Sequence, residues 1–340
     1  MITASPVPRT TADSPQPLAD WRQLWREAVT DAHELLALLE LEHLADELPA
    51  ADAGFRLRVP RGFVARMRRG DRHDPLLLQV LPQLAELEAV PGFVDDAVGD
   101  LDARAASGVL HKYEGRALLI ASGTCAINCR YCFRRHFPYS EELAAAQQWR
   151  EALAYLHREE SISELILSGG DPLALSTGKL AELSAGLADI AHVRRVRIHS
   201  RLPVVLPERI DDSLLGWLAD LPQQKVVVLH ANHANEFDHG VDAACARLRA
   251  CGAILLNQSV LLRGINDDVE TLAALSERMF AAGVLPYYLH QLDRVQGTAH
   301  FEVGDAEATA LIEALRARLP GYLVPRLVRE VAGDTGKRPL

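Results

Sequence analysis

The period of hydrophobic positions along this chain changes near residue 110. Upstream, LADWRQLWREAVTD, HELLALLELEHLADEL, VPRGFVARM and DPLLLQVLPQLAELEAV carry apolar residues at helical spacing between Pro and Gly breaks, which predicts a helical N-terminal region over 18–110. From about 116, short β-branched or apolar runs alternate with amphipathic ones. Strands are expected at 116–122, 164–169, 194–200, 225–231, 253–261 and 285–292, and helices near 141–158, 178–190, 212–220, 240–251, 268–282 and 305–318. This alternation implies parallel βαβ units in an α/β fold, as an open doubly wound sheet or as a complete or partial barrel. Periodicity does not separate these. In each of them the chemistry collects at the C-terminal ends of the strands. Ser122, Ser168–Asp171, His199–Arg201, His230–His233, Asn257–Gln258 and His290–Asp293 fall at those ends.

Composition narrows the function classes. The 340 residues carry 36 Lys+Arg and 46 Asp+Glu, a net charge of −10 without a basic block, which argues against a dedicated nucleic-acid binder. No apolar run reaches the roughly 18 residues that suggest a membrane span. The first 17 residues, MITASPVPRTTADSPQP, lack the hydrophobic segment of a secretory signal and are expected to be a disordered lead-in. A cytoplasmic protein is expected. Among the basic residues only Lys112, Lys179, Lys225 and Lys337 are lysines.

Cysteine usage points to metal chemistry. Cys125, Cys129 and Cys132 form C-x3-C-x2-C directly after the first βαβ strand, whereas Cys245 and Cys251 sit in a helical stretch as packing residues. Three thiolates on one loop can hold three irons of a four-iron cluster and leave the fourth open. The spacing is not that of a zinc knuckle or finger.

TCAINCRYCFRRHFPY, followed by the βα repeat, resembles the radical S-adenosylmethionine (SAM) enzymes. The resemblance implies a partial (β/α)6 TIM-like barrel over 111–319, behind the helical N-terminal region and ahead of a C-terminal segment, 320–340. It implies a [4Fe-4S] cluster on the three cysteines and SAM on the open iron. SGGDPL is then the segment at the SAM amino group, through Ser168, Gly169, Gly170 and Asp171, with Asp171 facing its ammonium. RIHSRLPVVLPERI, LHANHANEF, LLNQSVLLRGIND and GKRP extend the resemblance to the lysine 2,3-aminomutases, and most closely to the subgroup that makes (R)-β-lysine for elongation factor P. The fermentation-type members carry a C-terminal extension with zinc-binding cysteines. No cysteine follows Cys251 here, which points to the shorter branch.

Within that resemblance, Lys337 is the lysine that carries pyridoxal 5′-phosphate (PLP), and Tyr113 and Arg116 lie beside the cofactor's phosphate and ring. Arg134 takes the substrate carboxylate, and Asp293 and Glu330 take the lysine side-chain ammonium. Glu330 stands where the family has Asp. His111 and Lys112 receive no role. The expected partners are lysine, an electron donor such as flavodoxin or ferredoxin, and a ligase and elongation factor P linked through the product; oligomeric state is left open. A glutamate or free-lysine aminomutase of the same family, and a non-enzymatic Fe–S sensor, are the competing readings.

Overall fold

A computed structural model describes residues 20–50, 55–140, 143–147 and 149–340. The lead-in expected at 1–17 lies outside the described residues. Ten strands form one sheet in chain order: β1 (Arg104–Ala106), β2 (Val109–Tyr113), β3 (Arg116–Ser122), β4 (Glu164–Gly169), β5 (Arg195–Ser200), β6 (Gln224–Leu229), β7 (Ile254–Val260), β8 (Leu285–His290), β9 (Arg326–Arg329) and β10 (Arg338–Pro339). β3 to β9 pair in parallel, while β1–β2–β3 and β9–β10 are antiparallel. No pairing joins β10 to β1 among the described residues, so the sheet is a partial barrel.

The six expected strands are β3 to β8. They are joined by helices Arg150–Arg158, Thr177–Leu187, Asp212–Asp220, His239–Ala250 and Val269–Ala281, and Asp305–Arg318 leads on to β9. Ser176, Asp211, Asp238 and Asp268 cap four of these helices, each side chain accepting a backbone N–H of the first turn. The helix expected from 141 begins only at Arg150, after buried Trp149 in a left-handed conformation; 141–142 and 148 are not described.

Two expectations change. Among its described residues the N-terminal region holds short helices, Trp21–Arg26, Ala32–Leu38 and Arg61–Val64, and a 3-10 stretch, Glu42–Glu47, between the last two. DPLLLQVLPQLAELEAV forms turns and one 3-10 stretch, Leu84–Leu87, because Pro82 inside it lacks the N–H that a helix requires. The C-terminal segment adds a seventh parallel strand, β9, and the hairpin strand β2 extends the opposite edge. Leu35, Leu36, Phe63, Leu76 and Leu77 join Leu119, Leu165, Ile198, Leu218 and Leu248 in one core, so the N-terminal region is packed onto the barrel. No described helix is long and apolar enough to cross a membrane.

Strand alternation then positions the site. Leu119, Leu165, Leu167, Val196 and Ile198 face the crossover helices, while Leu118, Ile166, Ser168, Arg197, His199, Leu256, Gln258, Tyr288 and His290 face the barrel interior.

Candidate active site

β3 delivers the cysteine loop at the C-terminal rim of the sheet. Its start is fastened by the next loop, where Gly170 N–H donates to Ser122 O at 2.6 Å and Asp171 N–H to Thr124 O at 2.9 Å. Gly169 has φ +112°, and a Cβ on Gly170 would lie 2.6 Å from Thr124 O. The two glycines therefore let the β4 loop lie directly against the cysteine loop.

Asp171 requires a correction. Its Oδ1 accepts from Ser200 Oγ at 2.7 Å and Leu173 N–H at 3.0 Å, and its Oδ2 from Arg201 N–H at 2.8 Å and Leu202 N–H at 3.0 Å. A buried carboxylate with both oxygens taken twice has nothing left for an external ammonium. It ties the β4 and β5 loops together instead.

Cys125, Cys129 and Cys132 stay on one loop, and no three potential ligands converge as a single ion requires among the described residues. Arg201, unassigned from sequence, donates from Nη1 to Cys129 Sγ at 2.6 Å. Its Nη2 is held by Gln79 Oε1 at 2.6 Å and Glu236 Oε2 at 3.0 Å. A cavity of about 980 Å³ opens beside Cys125 and Cys132, lined also by Thr124, Arg134 and Tyr139.

A second cavity, of about 380 Å³, occupies the barrel interior, and Arg134 borders both. Tyr113, Arg116, Arg134, Ser168, Asp293, Glu330 and Lys337 all line it, so the structure brings most of the expected cofactor and substrate residues together. Arg116 lies over the Tyr113 ring, 4.5 Å from its centroid. Burial, reinforced by the charge of Glu330, keeps the Tyr113 phenol protonated well above its usual range. Arg134, only 6% exposed, donates from Nε to Asp100 Oδ2 at 2.7 Å and from Nη1 to Ser168 Oγ at 3.0 Å.

Lys337 reaches the cavity from the C-terminal loop. Its Nζ lies 3.1 Å from His290 Nε2, 3.3 Å from Glu330 Oε2 and 5.4 Å from the Tyr288 ring centroid. Burial would raise the Glu330 carboxyl, but the Lys337 and Lys112 ammoniums outweigh it and hold it at about 2. Asp293 behaves oppositely. Burial, then repulsion from Glu330, pushes it up to about 7. Its carboxylate has no hydrogen bond or ion pair among the described residues. The expected pair of acids is thus one engaged carboxylate and one free one.

His199 and His230 pack edge to face with centroids 5.5 Å apart, and each leaves Nε2 without a partner, as does Gln258 Oε1. Burial drives both imidazoles down, His230 to about 3, so they are neutral. Three unsatisfied buried polar atoms in one cavity are what a polar ligand would complete.

Two lining residues had no sequence signal. Asp100 receives Lys112 Nζ at 2.6 Å besides Arg134, and Lys112 also meets Glu330 Oε1 at 3.1 Å and Val98 O at 2.8 Å. Lys179 pairs with Glu182 on the surface and Lys225 with Ala219 O, both away from the cavity.

A family model for the Radical SAM superfamily matches residues 119–275. The chain is 48% identical to the L-lysine 2,3-aminomutase of Escherichia coli (strain K12) over 323 residues, covering 94% of both chains. It is 45% identical to that of Haemophilus influenzae, again over 94% of both. Against the L-lysine 2,3-aminomutase of Clostridium subterminale the identity is 32%, over 94% of this chain and 77% of the relative.

Proposed function

This chain belongs to the L-lysine 2,3-aminomutase family of radical SAM enzymes, and from that premise we propose that it converts L-α-lysine to β-lysine in its barrel cavity. The observation that carries the reading is one cavity holding Lys337, an anchored Arg134 and a free Asp293.

The residues suit the groups this chemistry requires. Cys125, Cys129 and Cys132 would hold the [4Fe-4S] cluster, with Ser168, Gly169 and Gly170 supplying the rim on which SAM sits. Lys337 would hold PLP, with Tyr113 and Arg116 beside it; the unsatisfied His199, His230 and Gln258 atoms face the same space. When bound, the cluster and SAM supply a hydrogen-abstracting radical, and PLP supplies the carbonyl that carries the migrating amino group.

The protein's own part is placement. Asp100 and Ser168 fix the Arg134 guanidinium so that it meets the α-carboxylate of lysine as a preset fork. Asp293 receives the distal ammonium, whose charge favours the ionised carboxylate and lowers it from about 7. Glu330 keeps Lys337 near His290 at the cofactor end. The enclosing barrel keeps water from a reactive radical. A glutamate substrate would set a second carboxylate against Asp293, which disfavours that alternative.

A reduced one-electron carrier such as flavodoxin or ferredoxin would supply the electron. The product would be the R enantiomer, passed to a ligase that acts on elongation factor P, as the subgroup that the motifs resemble implies. The test is anaerobic reconstitution with iron, sulfide, SAM and PLP, then a panel of lysine and glutamate. Release of β-lysine from lysine alone is expected. Turnover of glutamate but not lysine would overturn the reading.

A further inference from the structure

The cavity beside the cysteine loop is lined by charge of one sign. Arg22, Arg26, Arg56 and Arg58 of the N-terminal region and Arg134 and Arg135 of the cysteine loop face it, and no aspartate or glutamate does among the described residues. The whole chain carries a net charge of −10, so a general excess of basic residues does not account for this wall. Arg134 is paired with Asp100 and Arg135 with buried Glu86 at 2.8 Å. The four N-terminal guanidiniums are in no ion pair among the described residues, and Arg22, Arg26 and Arg56 are exposed. The acids flanking helix Trp21–Arg26 are turned to other donors. Asp20 accepts from Arg22 N–H at 3.0 Å, and Glu27 from Gln23 Nε2 at 2.8 Å.

Local structure explains the convergence. WRQLWR repeats Trp-Arg four residues apart, so Arg22 and Arg26 share one face of the helix and Trp21 and Trp25 the adjoining one. The two indoles meet edge to face with centroids 6.1 Å apart, and Arg58 donates from Nη1 to Trp25 O at 3.1 Å. Asn128, between Cys125 and Cys129, donates from Nδ2 to Arg56 O at 2.9 Å and from its N–H to Arg58 O at 3.0 Å. The N-terminal region is thereby pinned to the cysteine loop. Cys125 and Cys132 line the same cavity as half-buried Trp25 and Phe55.

A cluster on these cysteines has to receive one electron from outside, through a partner whose redox group comes close to this opening. We infer that the arginine wall is the docking surface for an acidic carrier protein of the flavodoxin type. This rests on the reading of the three cysteines as a cluster site. The unpaired guanidiniums steer an acidic partner and set its orientation. Trp25 and Phe55 offer flat apolar contact for the exposed edge of a flavin. In the transfer the anionic flavin hydroquinone becomes the neutral semiquinone and the cluster gains the electron, with no proton moved. The chain's own first 19 residues hold a single acid, Asp13, beside Arg9, so they do not supply the missing negative charge.

The experiment titrates oxidised flavodoxin into protein loaded with cluster and PLP, at low and at physiological salt. Cluster bleaching is followed separately with reduced flavodoxin and with photoreduced deazariboflavin, a small reductant that needs no docking. Arg22→Ala, Arg26→Ala and Arg56→Ala combined should raise the flavodoxin dissociation constant about tenfold at low salt, the joint effect of three exposed charge pairs. Wild-type affinity should fall with salt, and that of the variant should fall less. Reduction by subsaturating flavodoxin should slow in step, while iron content and reduction by deazariboflavin stay at wild-type values. Lys225→Ala, at the opposite end of the strands, should bind as wild type does. An unchanged dissociation constant in the triple variant would overturn the inference, as would tighter binding of a ferredoxin or of an RNA duplex than of flavodoxin. Should the triple variant not fold, the single substitutions decide: each should weaken binding by about twofold, and no effect from any of them overturns the inference. Wild-type protein that shows no iron–sulfur absorbance after reconstitution would count against the cluster site itself, a separate failure.

Discussion

Asp293→Asn should produce two effects of opposite sign. In the ligand-free protein the Asp293 carboxyl sits at about 7 against an ordinary 3.8, because burial and Glu330 disfavour its charge. An acid whose folded value is raised binds its proton more tightly when folded, so it lowers stability as pH rises from about 4 through 7. Above pH 7 the cost approaches three pH units at about 1.4 kcal/mol each, an upper bound of about 4 kcal/mol. Screening by water in the cavity reduces this to about 2 kcal/mol. Asn mimics the protonated carboxyl in shape and does not ionise. The ligand-free variant should therefore match wild type near pH 4 and exceed it by about 2 kcal/mol at pH 8, measured by urea unfolding. Lysine binding should change the other way. Leaving the distal ammonium unpaired in a closed cavity costs about 3 kcal/mol, roughly a hundredfold in the dissociation constant, with norleucine little affected. Wild-type affinity for lysine should also fall about tenfold between pH 8 and pH 6, as Asp293 takes up its proton. Equal stability of the two proteins at pH 8, together with retained preference for lysine over norleucine, would refute the assignment.

Other residues give separate tests. Replacing Cys125, Cys129 or Cys132 with Ala should abolish SAM cleavage yet leave PLP absorbance intact, as read by anaerobic product analysis and visible spectra. Asp100→Asn removes one anion shared by buried Arg134 and Lys112, and should destabilise the fold by about 3 kcal/mol in urea unfolding. Gly170→Ala places a methyl 2.6 Å from Thr124 O, so the cysteine loop must shift, and iron content after reconstitution should fall severalfold.

The strands β3 to β8 were legible because each is a short β-branched or apolar run bounded by turn residues. β9 is only four residues with Arg at both ends, and no periodicity marks so short an element. DPLLLQVLPQLAELEAV has helical spacing, but Pro82 inside it removes a backbone donor and the segment folds into turns and a 3-10 stretch. The lumen face had a usable signal in β5, where R-V-R-I-H-S alternates polar and apolar residues and sets Arg197 and His199 inward. Asp100 had none, since it is one of four aspartates between 95 and 102, and only its approach to Arg134 and Lys112 distinguishes it. Asp171 is the reciprocal case: a loop carboxylate looks free in sequence, and its four donors come partly from residues 29 to 31 positions away.

The central claim is that Lys337 brings a carbonyl cofactor into the barrel cavity, and covalent trapping tests it most directly. Protein incubated with PLP would be reduced with borohydride, digested and mapped by mass spectrometry. The account predicts one pyridoxyl group, on Lys337, and none in Lys337→Ala. A pyridoxyl group on Lys112, Lys179 or Lys225 in place of Lys337, or no adduct at all, would contradict it.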